Sequence, residues 1–241
     1  HLCDRRQRQM CIRDSSYDYT NGSDQQADAL CIVADQTACI NVRLIGYQDT
    51  LLTDTRTKDE NGNYAVTRQY FNKCYITGNV DFIYGAGTSV FEDCDIVARY
   101  TEYKSDGCYT AGRTYASTPY GYVFNNCRFL AEEGVADGVY RMARPWGADD
   151  STTFMNCYLG RAISLETSYG DMSGNLAENA RFAEYGSYGD CGRCSVFGCY
   201  LFSPVCAYRL RKYNYFLETS KIILPFFFSF SIFFIYLSWV N

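Results

Sequence analysis

Two aspartates occupy the same position in two successive sequence repeats, and their side chains could carry out acid–base chemistry together. Asp49 follows Val42 by seven residues, and Asp81 follows Cys74 by the same interval. If Val42 and Cys74 are equivalent positions of stacked repeats, the two carboxylates lie next to each other. Carboxylates held that close titrate as a pair, so one stays protonated while the other ionises. Such a pair divides the work between a general acid and a nucleophile or base, whereas the alternative is that each aspartate simply ends a strand.

The composition excludes several other kinds of site. The single histidine is His1, which argues against a Ser-His-Asp or Cys-His nucleophilic system and against a histidine-rich metal site. Lysine and arginine number 22 against 27 acidic residues, and a net charge of −5 argues against a nucleic-acid-binding surface. If the protein is an enzyme, its acid–base groups are therefore carboxylates, lysine or tyrosine.

A short repeated pattern predicts the scaffold that must hold the aspartates. An aromatic residue, two mostly polar residues, cysteine, any residue and an apolar residue recur around Cys74, Cys94, Cys127 and Cys157, with Val42 in a degenerate first copy. The intervals of 32, 20, 33 and 30 residues indicate a solenoid. Within each copy the apolar positions alternate, which is typical of a strand with one buried face. One strand per repeat predicts an all-β fold, a parallel β-helix, with helical character only near residues 175–182.

The repeated cysteines are expected to form a ladder that points into the core. A metal or redox site is one interpretation of such a ladder. The other, which we favour, is that reduced cysteine serves as a small buried hydrophobic residue. No histidine or carboxylate repeats in the same register on the inward face.

The two ends of the chain differ from the repetitive middle. Residues 1–15 are charged and aperiodic and are interpreted as a non-native leader, and residues 16–190 as a domain that lacks its first coils because of an N-terminal truncation. Residues 191–241 are an atypical tail with four cysteines, and one interpretation is that this tail is translated out of frame. Within it, residues 222–240 are uncharged and long enough to span a membrane, so a membrane partner is expected only if this segment is genuine.

Several blocks of the middle resemble pectin methylesterases (pectinesterases, carbohydrate esterase family 8), including bacterial members. The blocks are residues 25–30 (QQADAL), 46–51 (GYQDTL), 78–85 (GNVDFIYG), 144–146 (RPW) and 179–186 (NARFAEYG). The resemblance implies a right-handed parallel β-helix, a single-stranded solenoid of the pectin-lyase-like type. Leu52 and Ala143 depart from the tyrosine and glycine of many members.

The resemblance also implies an activity, which is hydrolysis of methyl esters on galacturonic acid units of pectin with release of methanol. Asp81 would be the nucleophile and Asp49 the general acid and then the base. Gln26 and Gln48 would donate hydrogen bonds to the oxyanion. Arg144 would hold Asp81 ionised and oriented.

Further expectations follow from the same resemblance. Trp146 and Tyr84 would offer flat apolar faces to sugar rings. No cofactor and no metal would be needed, pectin would be the partner, and the protein would be a monomer that is secreted, extracellular or periplasmic. Two alternatives stay open: a β-helix fragment that binds acidic polysaccharide without turnover, and a calcium-dependent enzyme like pectate lyase.

Overall fold

All strand pairs of the three sheets run parallel, so the chain winds as a β-helix and the predicted fold is confirmed. The structure is a computed structural model that describes residues 10–13, 26–55, 57–58, 60–102 and 105–190. All of the described residues belong to one compact unit. Each full coil contributes one strand to each of the sheets A, B and C.

The strands of each sheet follow one another along the axis of the solenoid. Sheet A contains β1 (Met10–Arg13), β4 (Val42–Ile45), β7 (Tyr75–Gly78), β10 (Asp95–Ala98), β13 (Arg128–Ala131), β16 (Tyr158–Leu159) and β18 (Tyr188–Gly189). Sheet B contains β2 (Leu30–Ile32), β5 (Leu51–Thr53), β8 (Val80–Gly85), β11 (Gly107–Gly112) and β14 (Tyr140–Ala143). Sheet C contains β3 (Thr37–Ile40), β6 (Arg68–Asn72), β9 (Thr88–Glu92), β12 (Tyr122–Asn125), β15 (Thr152–Met155) and β17 (Ala183–Tyr185).

Two columns of identical side chains fill the core, as the repeat pattern predicts. The repeated phenylalanines of sheet C are fully buried and stack with nearly parallel rings, at centroid distances of 4.6, 4.5 and 5.3 Å between successive members of the series Phe71, Phe91, Phe124 and Phe154. The repeated cysteines are also buried, and they are free thiols (Cys74, Cys94, Cys127 and Cys157). Val42 is buried next to them, which confirms it as the first member of the ladder. The cysteines thus pack as small hydrophobic residues beside the aromatic stack.

The turn from sheet C to sheet A repeats with the same backbone geometry in every coil. The residue before each ladder position has a left-handed backbone, with φ between 52° and 56° for Asn41, Lys73, Asp93, Asn126 and Asn156. Asparagine and aspartate tolerate this conformation because their short polar side chains bond locally. This explains why polar residues precede the buried cysteines in the repeat.

Outside the sheets, the described residues contain one short 3-10 helix, Ala177–Asn179, inside the segment where helical character was predicted. Strand β1 adds an edge to sheet A beside β4, and the non-native origin of residues 1–15 stays a prediction. The cysteine cluster and the hydrophobic run predicted in 191–241 lie outside the described residues. In the part of the chain that the structure describes, no helix is long and apolar enough to cross a membrane.

Candidate active site

The backbone pairing of sheet B places Asp49 and Asp81 in adjacent coils at matching positions. Leu51 of β5 pairs with Ile83 of β8, an offset of 32 residues that Asp49 and Asp81 share. The Asp49 amide donates to the carbonyl oxygen of Val80 at 3.1 Å. Both aspartates have a left-handed backbone, with φ of 63° and 51°, and their residues are only 8% and 4% exposed. The predicted juxtaposition of the two carboxylates is therefore present.

A β-bulge in β8 directs the second aspartate away from the core. Val80 pairs with Cys108 and Ile83 with Thr110, so that Asp81 and Phe82 together lie opposite Tyr109. The extra residue lets Phe82 pack in the core against Tyr109, with ring centroids 5.5 Å apart. Bulges commonly re-aim a side chain in this way.

The third coil does not continue the repeat count that relates the two aspartates. Its strand of sheet B, β11, begins at Gly107, more than seven residues after Cys94. Opposite Asp81 and Phe82, this coil places Tyr109, which is buried in the core.

Two glycines of the segment 78–85 make room for this close approach of coils. A Cβ atom on Gly78 would lie 2.4 Å from the carbonyl oxygen of Tyr47 and 2.2 Å from the Cβ of Phe82. Gly85 has a φ of 115°, and a Cβ there would lie 2.1 Å from the carbonyl oxygen of Thr53. Only glycine therefore fits at the end of β7 and at the end of the bulged strand β8.

Arg144 binds Asp81, although the two residues lie two coils apart. It follows β14, and its amide donates to the carbonyl oxygen of Thr110 at 3.0 Å. Its Nε donates to Asp81 Oδ1 at 2.7 Å and its Nη2 to Oδ2 at 2.6 Å. Such a two-point, charge-assisted contact stabilises the ionised carboxylate and fixes its plane.

Asp49 has the opposite electrostatic environment. Burial is the main cause that raises the pKa of its carboxyl from the ordinary 3.8 to about 7. The negative charges of Asp81 and Asp28 contribute to this increase, and Arg144 acts against them. Asp49 therefore holds its proton at mildly acidic pH, beside an aspartate that is paired with a guanidinium. The roles of general acid for Asp49 and nucleophile for Asp81 stay predictions.

The remaining predicted site residues lie around this pair. Gln48 directly precedes Asp49 and is half-buried, while Gln26 is exposed just before β2. The Ala27 amide donates to the carbonyl oxygen of Gln48 at 3.4 Å, so the two glutamines belong to neighbouring coils.

The two predicted sugar-stacking residues form a half-buried aromatic surface. The rings of Tyr84 and Trp146 are tilted against each other with centroids 5.9 Å apart. Their roles toward a substrate stay predictions, as do those of the glutamines.

Two charged residues near this surface received no role in the sequence analysis. The guanidinium of Arg113 lies 4.2 Å from the ring centroid of Trp146, and its Nη2 contacts Asp54 Oδ2 at 3.0 Å. Asp28 accepts a hydrogen bond from the Tyr84 hydroxyl at 2.7 Å. Asp28 lies within the block 25–30, but its coil lacks the Phe-x-x-Cys pattern that would have set its register.

A parallel β-helix with an arginine-bound aspartate beside a protonated one has the carboxylate site that an aspartyl esterase requires. Among the described residues, no three histidine, cysteine or acidic side chains are grouped to hold a metal ion. A family model described as Pectinesterase matches residues 5–197, and the chain belongs to this family.

Individual relatives agree with this assignment. Pectinesterase QRT1 of Arabidopsis thaliana is 32% identical over 169 residues, which cover 70% of this chain and 39% of that protein. The structure of pectin methylesterase PemA from Erwinia chrysanthemi superposes with a TM-score of 0.64 at 26% identity and covers 88% of this chain and 67% of that one. A pectin methylesterase in complex with a hexasaccharide has the same TM-score and coverage at 27% identity. The chain spans about a third of the length of the curated relatives it matches.

Proposed function

We propose that this protein hydrolyses methyl esters of galacturonic acid units in pectin and releases methanol. The observation that carries the proposal is the contrast between the two neighbouring aspartates. Arg144 binds both oxygens of Asp81, while burial keeps a proton on Asp49. The family membership and the relative solved with a hexasaccharide support an oligosaccharide of methylated uronate as the substrate.

In the first step the ionised Asp81 carboxylate attacks the carbonyl carbon of the methyl ester. The tetrahedral intermediate collapses to an anhydride between Asp81 and the galacturonyl group. The bond to the methoxy oxygen breaks, and Asp49 donates its proton so that methanol leaves as a neutral molecule. Arg144 keeps Asp81 ionised and oriented for this attack.

In the second step the roles of Asp49 reverse. Its carboxylate, now ionised, takes a proton from water, and the resulting hydroxide attacks the galacturonyl carbonyl of the anhydride. The bond between the galacturonyl carbon and Asp81 breaks, Asp81 returns to its ionised form, and Asp49 is protonated again. The galacturonic acid unit leaves with a protonated carboxyl, which gives its proton to solvent. One group thus serves as acid and then as base, which its raised pKa near neutrality favours.

The surrounding side chains complete the proposal. Amide groups of Gln48 and Gln26 donate to the oxyanion of each tetrahedral intermediate. Tyr84 and Trp146 present apolar ring faces to the sugar units that flank the reacting one. Because the proposed substrate is a polysaccharide, we propose an extracellular or periplasmic location.

The decisive test is methanol release from methylated pectin by the whole chain and by its Asp81→Asn variant. The variant should lose activity by a factor of at least about 1000, because an amide is no nucleophile. Asp95→Asn is the matched control. Asp95 accepts hydrogen bonds from Nε and Nη2 of Arg128, as Asp81 does from Arg144, but it lies on sheet A. Full methanol release by Asp81→Asn would refute the mechanism.

The same experiment separates the alternative functions. Retention of pectin with no methanol from the parent chain would indicate a binding protein without turnover. Unsaturated products that absorb in the ultraviolet, and that disappear with chelator, would indicate a lyase that depends on calcium.

A further inference from the structure

A third aspartate extends the column of the aspartate pair into the preceding coil, displaced by one residue. The Ala27 amide donates to the carbonyl oxygen of Gln48 at 3.4 Å and the Ala29 amide to that of Thr50 at 2.8 Å, so the two coils are bonded along this segment. The pairing shifts by one residue before Leu30, which pairs with Leu51. Asp28 therefore lies opposite Thr50, next to Asp49, and Asp49 lies in the coil between those of Asp28 and Asp81.

A tyrosine from the far side of the column fixes the third carboxylate. Tyr84 of β8 pairs with Leu52, and Leu52 pairs with Cys31, so Tyr84 lies two coils away from the coil of Asp28. Its hydroxyl reaches across the intervening coil and donates to Asp28 Oδ1 at 2.7 Å. A donated hydrogen bond favours the ionised form of a carboxylate, so Asp28 presents a fixed negative charge to Asp49.

We propose that Asp28 is a positioning residue that acts through Asp49. Its negative charge, held in place by the hydrogen bond from Tyr84, favours the protonated form of Asp49, which donates the proton to the departing methanol. The inference deepens the function proposed above and rests on it. The charged and titratable groups that face Asp49 are Asp81 and Tyr84 on β8, Arg144 after β14, and Asp28 before β2. The charges of Asp81 and Asp28 both raise the pKa of Asp49, and the guanidinium of Arg144 lowers it.

The effect of Asp28 on the pKa of Asp49 can be separated from the effects of Asp81 and Arg144. Asp81 and Arg144 bind each other and have opposite effects on Asp49, and both are retained when Asp28 is replaced. Asp28 is exposed, whereas Asp49 and Asp81 are buried. Dissolved salt therefore screens the charge of Asp28 far more than that of Asp81.

The test is the pH dependence of kcat/KM for methanol release by the whole chain and by Asp28→Asn. Asparagine keeps an oxygen that accepts from Tyr84 but carries no charge. Activity falls at alkaline pH as Asp49 loses its proton, and this fall should move to lower pH by roughly half a unit in the variant. Asp28→Glu, which restores the charge, should return the profile toward that of the parent, and Asp95→Asn should leave it in place.

Ionic strength gives a second measurement, which begins with the parent chain alone. In the parent chain, raising ionic strength from about 0.01 M to about 1 M should move the alkaline fall to lower pH. In Asp28→Asn the same change should move it much less. An unchanged profile in Asp28→Asn, together with an equal salt response in both proteins, would overturn the inference while leaving the esterase function intact.

Failure of the esterase function itself is recognised separately. If the parent releases no methanol, the Asp49 carboxyl can be titrated directly by carbon NMR in the parent and in Asp28→Asn. A lower midpoint in the variant would support the electrostatic coupling without the esterase function, and an equal midpoint would refute the coupling.

Discussion

Replacing Asp49 with asparagine should stabilise the folded protein at neutral and alkaline pH. Burial and neighbouring charge raise the pKa of this carboxyl from 3.8 to about 7 in the folded state. A carboxyl whose pKa is raised on folding contributes stability that is fully present below its unfolded pKa. That stability is lost as the pH rises through the folded pKa. Asparagine carries no titrating group, so the variant does not lose stability at this position as the pH rises.

The size of the effect follows from the shift. A difference of about three pKa units corresponds to roughly 4 kcal/mol of unfolding free energy. The parent chain should lose this amount between about pH 4 and pH 8, and Asp49→Asn should keep it. Asp150 is fully buried and its pKa is also raised to about 7, but it titrates in both proteins and cancels in their difference.

Urea denaturation of both proteins at pH 4, 6 and 8 measures this difference. The gap between the two unfolding free energies should widen with pH and level off above about pH 8. Asp137→Asn is the control, because the side chain of Asp137 is 74% exposed. Equal pH dependence in the parent and in Asp49→Asn would refute the proposed burial of a protonated carboxyl, whatever the variant does to activity.

Two further predictions concern the arginine contact and the core. Arg144→Lys should keep the positive charge but lose one of the two hydrogen bonds to Asp81, which lowers kcat by roughly 10- to 100-fold. Arg128→Lys loses the same two-point contact with Asp95 and should not change kcat. Equal kcat in the two variants would contradict the role of Arg144. Phe124→Ala should cost about 3–5 kcal/mol of unfolding free energy, since Phe124 is fully buried between the rings of Phe91 and Phe154. A loss below about 1 kcal/mol in urea denaturation would contradict the stacked core.

The sequence predicts the core columns because each depends on a local pattern. Phe, Cys and an apolar residue recur at fixed spacing within six residues, and all three are buried where the chain passes from sheet C to sheet A. The pairing of Asp49 with Asp81 is predictable for a related reason. Ile45 pairs with Thr77, and six residues later in both coils Leu51 pairs with Ile83, so counting residues suffices.

Counting fails where a coil changes length or lacks the pattern. In the third coil β11 begins only at Gly107, so the seven-residue interval from Cys94 does not reach it. The bulge at Asp81 is visible only from strand pairing. Asp28 lies in a coil without the repeated cysteine, so its place in the column was not predictable. The contact between Arg144 and Asp81 spans 63 residues of sequence, and only the resemblance to a known family indicated it.

The energetic costs concentrated at the aspartate pair indicate why the rest of the fold is so regular. Each aspartate has a left-handed backbone, which costs on the order of 1 kcal/mol. Each is also buried, and Asp49 meets a like charge. A flexible loop would relax these costs by moving the carboxylates apart. Here the Asp49 amide is bonded to the carbonyl oxygen of Val80 and Asp81 lies in β8, within a stack of coils whose repeated phenylalanines are fully buried. The stacked coils therefore hold the Asp49 carboxyl in the buried position beside Asp81 that raises its pKa.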